Sequence, residues 1–119
     1  MTIVDSYSES NYDGSVSQFT ETARKYFYQS FTGDGGTLNS AKWYLKKTNS
    51  PTGNAYAKIY AHTGTFGDGG KPTGTALATS VPVDVSTLST TISLITFNFT
   101  GENKITLNNG TYYCLTIEW

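Results

Sequence analysis

His62 is the single histidine of this 119-residue chain, Cys114 its single cysteine, and nine Asp and Glu complete the groups able to move protons or attack carbon. An enzyme needs a convergent set of such groups, and the inventory is thin. His62 follows a strand at the mouth of a glycine-rich stretch, where a general base would need an orienting carboxylate. No Gly-x-Ser-x-Gly elbow supports a serine triad. Asp34 and Asp68 each sit in a Gly-Asp-Gly-Gly string, Gly33 to Gly36 and Gly67 to Gly70. Aspartate in such turns commonly bonds its own backbone. The same two carboxylates, with loop carbonyls, are the candidate ligands of a Ca2+ ion, although the spacing of a known calcium loop is missing. No Gly-Lys-Ser/Thr follows either string, so the glycines do not make a phosphate loop. The chain therefore reads as non-catalytic, with no cofactor other than this candidate calcium. Cys114 has no partner for an intrachain disulfide, and its apolar strand suggests a buried thiol.

The unusual signal is aromatic: nine Tyr, two Trp and six Phe in a hydroxyl-rich chain with only 14% charged residues. Flat aromatic faces suit sugar rings, whose C–H faces stack while hydroxyls bond to neighbouring polar groups. Tyr44, Tyr56, Tyr60, His62 and Phe66 are the candidate ligand-binding residues. Tyrosine is also simply favoured on sheets, so each of these has a structural reading beside the binding one. The net charge is −1 and the eight Lys and Arg are scattered, which excludes a nucleic-acid footprint. No apolar run approaches the roughly 20 residues of a membrane span, and the N-terminus lacks the pattern of a signal peptide. The expectation is a soluble chain without membrane insertion. Asn98 and Asn109 begin glycosylation sequons, a motif frequent by chance.

The elements that would position these residues are strands. Leu38 to Ala61 reads as a β-hairpin. Ala41, Trp43 and Leu45 alternate with Lys42, Tyr44 and Lys46, and Ala55, Ala57, Ile59 and Ala61 alternate with Tyr56, Lys58 and Tyr60. Pro51 and Gly53 punctuate the loop between the arms. With Lys47 opposite Ala55, Lys42 would meet Tyr60, Tyr44 would meet Lys58 and Lys46 would meet Tyr56. Trp43 would lie over small alanines, making Trp43→Ala the most damaging core change. Arg24 to Phe31 reads as a central strand, His62 to Thr75 as a long loop, Leu77 to Val85 as an edge strand weakened by Pro82, and Ile92 to Thr100 as a strong strand. Asn108-Asn109-Gly110 signals a hairpin turn before a closing strand from Thr111 to Trp119. The expected fold is an all-β, jelly-roll-like sandwich of about eight antiparallel strands. It forms a single domain over residues 1–119, with 1–24 as an N-terminal strand and surface-wrapping segment and 25–119 as the core. The predicted core is Trp43, Leu45, Ile59, Phe97, Phe99, Leu115 and Ile117.

The run QSFTGDGGTLNSAKWYLKKTNSPTGNAYAKIYAHTGTFG, followed by KPTGTALATS, DVSTL, ITFNFTG and ITLNNGTYYCLTIEW, resembles a jelly-roll module of phage and bacterial surface proteins, similar to the choice-of-anchor and carbohydrate-binding-like domains. The resemblance covers roughly Gln29 to Trp119, and the module's last strands are missing here. It implies a non-catalytic recognition module, carbohydrate-binding, displayed extracellularly or on a virion surface, with a glycan or other surface ligand as partner. The alternative is a structural subunit of a virion, tail fibre or filament, a homo-oligomer assembled by strand pairing. In either case an aromatic strand from Tyr112 to Trp119 should be covered, by Thr2 to Tyr7 folding back, by a strand donated from a neighbour, or by further strands of a longer chain.

Overall fold

A computed structural model of the chain describes residues 26–66 and 68–119. The expected N-terminal strand at Thr2 to Tyr7 and the wrapping segment after it lie outside the described residues. Among the described residues seven strands follow one another: β1 (Tyr26–Thr32), β2 (Ser40–Leu45), β3 (Asn54–Thr65), β4 (Asp68–Thr79), β5 (Val83–Asp84), β6 (Ser93–Asn98) and β7 (Tyr112–Glu118). They form an all-β sandwich of two antiparallel sheets, a five-stranded one in the order β1-β7-β3-β4 with β5 paired to the start of β3, and a two-stranded one, β2-β6. Among the described strands the first pairs with the last and the second with the penultimate, the winding of a jelly roll.

The periodicity places the strands, but not their partners. β2 and β3 do not form a hairpin: β2 runs against β6, with Tyr44 opposite Leu94 and Trp43 opposite Ile95, while β3 lies in the other sheet between β7 and β4. The predicted pairs of Lys42 with Tyr60, Tyr44 with Lys58 and Lys46 with Tyr56 are replaced accordingly. Both arms have an apolar face because each contributes to the same core from opposite sheets. The predicted loop from His62 to Thr75 is also a correction. β3 continues to Thr65, a short turn follows, and β4 begins at Asp68, with Thr63 opposite Lys71 and His62 opposite Pro72. Pro72 is tolerated because β4 is an edge strand among the described residues.

Two further strands exchange the places expected of them. β1, expected to be central, lies at an edge of the described sheet, and β7 lies inside it, with Phe31 opposite Tyr113 on one side and Ala61 opposite Tyr113 on the other. The aromatic closing strand is thus covered on both sides within the chain, by β1 and β3, without a donated strand. The Asn108-Asn109-Gly110 turn closes through Thr111 N–H donating to the Asn108 carbonyl at 3.1 Å, but the segment before it pairs with the loop after β1. There Leu107 N–H donates to Gly36 at 2.9 Å and Gly35 N–H to Leu107 at 2.7 Å.

Phe97, Phe99, Ile59, Leu107 and Ile117 are fully buried at the centre of the core. Of the predicted core, Ile59, Phe97, Phe99 and Ile117 are buried, whereas Trp43, Leu45 and Leu115 pack against it half-buried. The indole N–H of Trp43 is buried without a hydrogen-bond partner.

Candidate functional site

Antiparallel partners share a face, so the register sorts the large sheet into two surfaces. Ala57, Ile59 and Ala61 of β3 look inward with Ile117, Leu115 and Tyr113 of β7. The residues between them look outward: Tyr56 beside Glu118, Lys58 beside Thr116, and Tyr60 beside Cys114. The next step brings His62 to Tyr112, whose rings lie 5.6 Å apart, edge to face. The outer face of β3 and β7 is therefore a continuous strip running from Glu118 to Tyr112.

Glu118 is the polar centre of one end of the strip. Its Oε2 accepts a hydrogen bond from the Tyr60 hydroxyl at 3.0 Å and from the Thr116 hydroxyl at 2.9 Å, and Lys58 Nζ stands 3.4 Å from Oε1. Tyr60 belongs to the row of Cys114 and Glu118 to the row of Tyr56, so phenol and carboxylate lean toward one another across Thr116. That explains why Thr116 is 1% exposed on an outward-facing position. Lys58 also lies over the Tyr56 ring, 5.9 Å from its centroid. Beside this group a groove of about 230 Å³ is lined by Tyr60, Thr116, Glu118, Pro72, Thr73 and Gly74. Its far wall comes from an irregularity in the ladder. Ile59 pairs with Ala78 and Ala61 with Thr73, so Gly74 to Leu77 all stand opposite Tyr60, a bulge in the ladder.

At the other end Phe66 stacks on Tyr112 with centroids 4.4 Å apart and planes 23° from parallel, and both rings are open to solvent, at 40% and 48% exposure. His62 is their support. Its ring contacts Phe66 at 5.8 Å as well as Tyr112, and its Nε2 is buried without a hydrogen-bond partner, pressed on Gly70 so closely that a Cβ there would collide with it. An imidazole held this way is a packing piece rather than a nitrogen presented to a substrate. His62 lies opposite Pro72, which joins the aromatic step to the groove.

Of the residues singled out in the sequence, Tyr56, Tyr60, His62 and Phe66 share this one strip. Tyr44 does not; it stands on the outer face of β2, in the other sheet. Asp34 lies in the turn after β1 and Asp68 at the start of β4, strands about 14 Å apart across the sheet. Asp34 Oδ1 accepts a bond from the Gly36 N–H at 2.8 Å, the local turn its sequence suggests. Among the described residues no three His, Cys, Asp or Glu side chains come together. Tyr112, Thr116 and Glu118 are the residues that sequence reasoning misses. The signal was present in the alternation of the last strand, whose Tyr112, Cys114, Thr116 and Glu118 share a face, but their neighbours depend on β7 lying beside β3.

Cys114 is fully buried within the same strip, its Sγ 3.9 Å from the Ser30 hydroxyl. Desolvation raises its pKa above the ordinary 9.0, against a smaller opposing effect of the Ser30 contact. A raised folded-state value means that the stabilisation is full below 9.0 and lost as pH rises through the folded value. We expect the urea midpoint to fall more steeply above about pH 9 in the native protein than in Cys114→Ala. Equal pH profiles for the two would refute this.

No protein-family model, curated protein or solved structure matches the chain. Among the described residues no helix is long and apolar enough to cross a membrane.

Proposed function

We propose that the chain is a non-catalytic recognition module that binds carbohydrate through the outer strip of β3 and β7, displayed extracellularly or on a virion surface like the phage and bacterial surface modules it resembles. The observation that carries this reading is the solvent-open Phe66–Tyr112 stack adjoining a groove edged with hydroxyls and one carboxylate. An exposed aromatic step attracts the C–H face of a sugar, and the adjacent polar groups fix its hydroxyls. His62 holds the step rigid, which lowers the ordering cost of binding.

Affinity gel electrophoresis on a panel of soluble polysaccharides tests the proposal. Tyr112→Ala and Phe66→Ala are each expected to weaken retardation by about ten-fold, the equivalent of ~1–1.5 kcal/mol for a lost stacking partner, with little change in stability because both side chains are exposed. Unchanged retardation in both variants would sink the reading. The alternative of a structural subunit draws on a different surface, the outer face of the two-stranded sheet, where Leu94 is 46% exposed opposite Tyr44 at 42%.

A further inference from the structure

The charge and hydrogen-bond arithmetic of the groove narrows the class of sugar. We infer that the groove takes a neutral oligosaccharide, one of whose hydroxyls donates to Glu118 Oε1 while a neighbouring ring lies on the Phe66–Tyr112 step; this rests on the carbohydrate reading above. A carboxylate offers about four lone-pair sites. Glu118 Oε2 receives two hydroxyl protons, from Tyr60 and Thr116, and among the described side chains Oε1 receives only Lys58 at 3.4 Å. With respect to those side chains, one acceptor position on Oε1 is open. The hydroxyl of Thr116 has a single proton, and its 2.9 Å contact with Glu118 is much shorter than the 3.5 Å one to the Lys58 carbonyl. The carboxylate is thus fixed before any ligand arrives, and a hydroxyl donating to it makes a charge-assisted bond.

Acidic sugars fit poorly. Glu118 is the one charged residue among those lining the groove, so a uronate or sialate would place a second carboxylate beside it without a cation of its own. Lys58 is already engaged by Glu118 and by the Tyr56 face. A cationic sugar is disfavoured for the converse reason, since the carboxylate already has its ammonium partner. Length argues for an oligosaccharide rather than a single ring. Thr116 and Tyr112 are four residues apart on one strand, about 14 Å, with the His62–Pro72 pair between groove and step.

The test is affinity electrophoresis of the full chain against neutral polysaccharides (mixed-linkage β-glucan, galactomannan, arabinoxylan) and acidic ones (polygalacturonate, alginate), repeated with Glu118→Gln. We expect retardation by at least one neutral polymer and by neither acidic one, and a loss of about ten-fold or more in Glu118→Gln. Tyr60→Phe keeps the ring but removes a donor to Glu118, and is expected to weaken the same interaction about three-fold or more. That variant decides the matter if Glu118→Gln does not fold. Retardation by the acidic polymers at least as strong as by the neutral ones would overturn the inference and leave carbohydrate binding standing. So would neutral binding untouched by both substitutions. Retardation by no polymer would overturn both.

Discussion

Phe97→Ala is expected to destabilise the protein by about 3–5 kcal/mol, read as a shift of the urea or guanidinium midpoint at unchanged slope. The ring is 0% exposed, and its cross-strand neighbour on β2 is Ala41, too small to move into the space left behind. Phe99 and Ile59 belong to the same core cluster and are as deeply buried, Ile59 held within β3 and Phe99 just past the end of β6. The residual cavity therefore stays open, the situation in which truncation costs most. Against a typical domain stability of about 5–15 kcal/mol, the variant would be marginal at 25 °C. Trp43→Ala should cost less, although Trp43 is the larger side chain and the one that sequence reasoning ranks first. Its ring is only half-buried, and its N–H is buried without a partner, so truncation also removes an unsatisfied donor. A greater loss in Trp43→Ala than in Phe97→Ala would overturn this ranking.

Gly33→Ala is expected to cost about 1–3 kcal/mol and to weaken polysaccharide retardation as well, although Gly33 touches no ligand. A Cβ there would stand 2.9 Å from both the Leu107 carbonyl oxygen and Tyr113 Cε2, and closer still to the Asn108 carbonyl oxygen. Two of the three obstacles are backbone, so relief requires the chain itself to move. That chain is tied on both sides. Gly33 N–H donates to the Thr111 carbonyl at 2.8 Å, Gly110 N–H donates to Gly33 at 2.9 Å, and Asn108 N–H donates to the Tyr113 hydroxyl at 2.9 Å. Any displacement of residues 107–111 is passed to Tyr112, the exposed half of the aromatic step. Joint loss of stability and retardation is the expected result; a variant as stable as the native protein would show that the loop absorbs the methyl group.

Fold class was legible in the sequence because alternation is a local property. Each of Ala41-Trp43-Leu45, Ala57-Ile59-Ala61 and Ile95-Phe97-Phe99 shows its apolar face within six residues. Partnership is not local. The connection from β2 to β3 looks like a hairpin loop, with Pro51 and Gly53 in place, yet it crosses between sheets. The glycines of His62 to Thr75 invite a loop assignment because Gly lowers strand propensity. Here Gly70 is needed inside a strand to admit His62. The site followed the same division. Tyr56, Tyr60, His62 and Phe66 could be nominated from aromatic type and a common face. Tyr44 had the same credentials and belongs to another sheet. Glu118 carried no local sign, since its described partners, Lys58, Tyr60 and Thr116, come mostly from a strand some sixty positions earlier.

The placement of β7 between β1 and β3 also governs the order of assembly. The ladder that joins residue 26 to residue 118 closes a loop spanning most of the described chain, and β1 has no other partner among the described strands. During synthesis, β1 through β6 emerge before the strand that unites the larger sheet exists. Until then, the β3–β4 hairpin has one vacant flank, and β1 has nothing described to pair with. Such a topology puts loop closure ahead of the contacts that reward it, and so favours slow, late folding. The nascent chain would present an unfilled slot of strand width, the feature most easily occupied by the wrong strand when many copies are made at once.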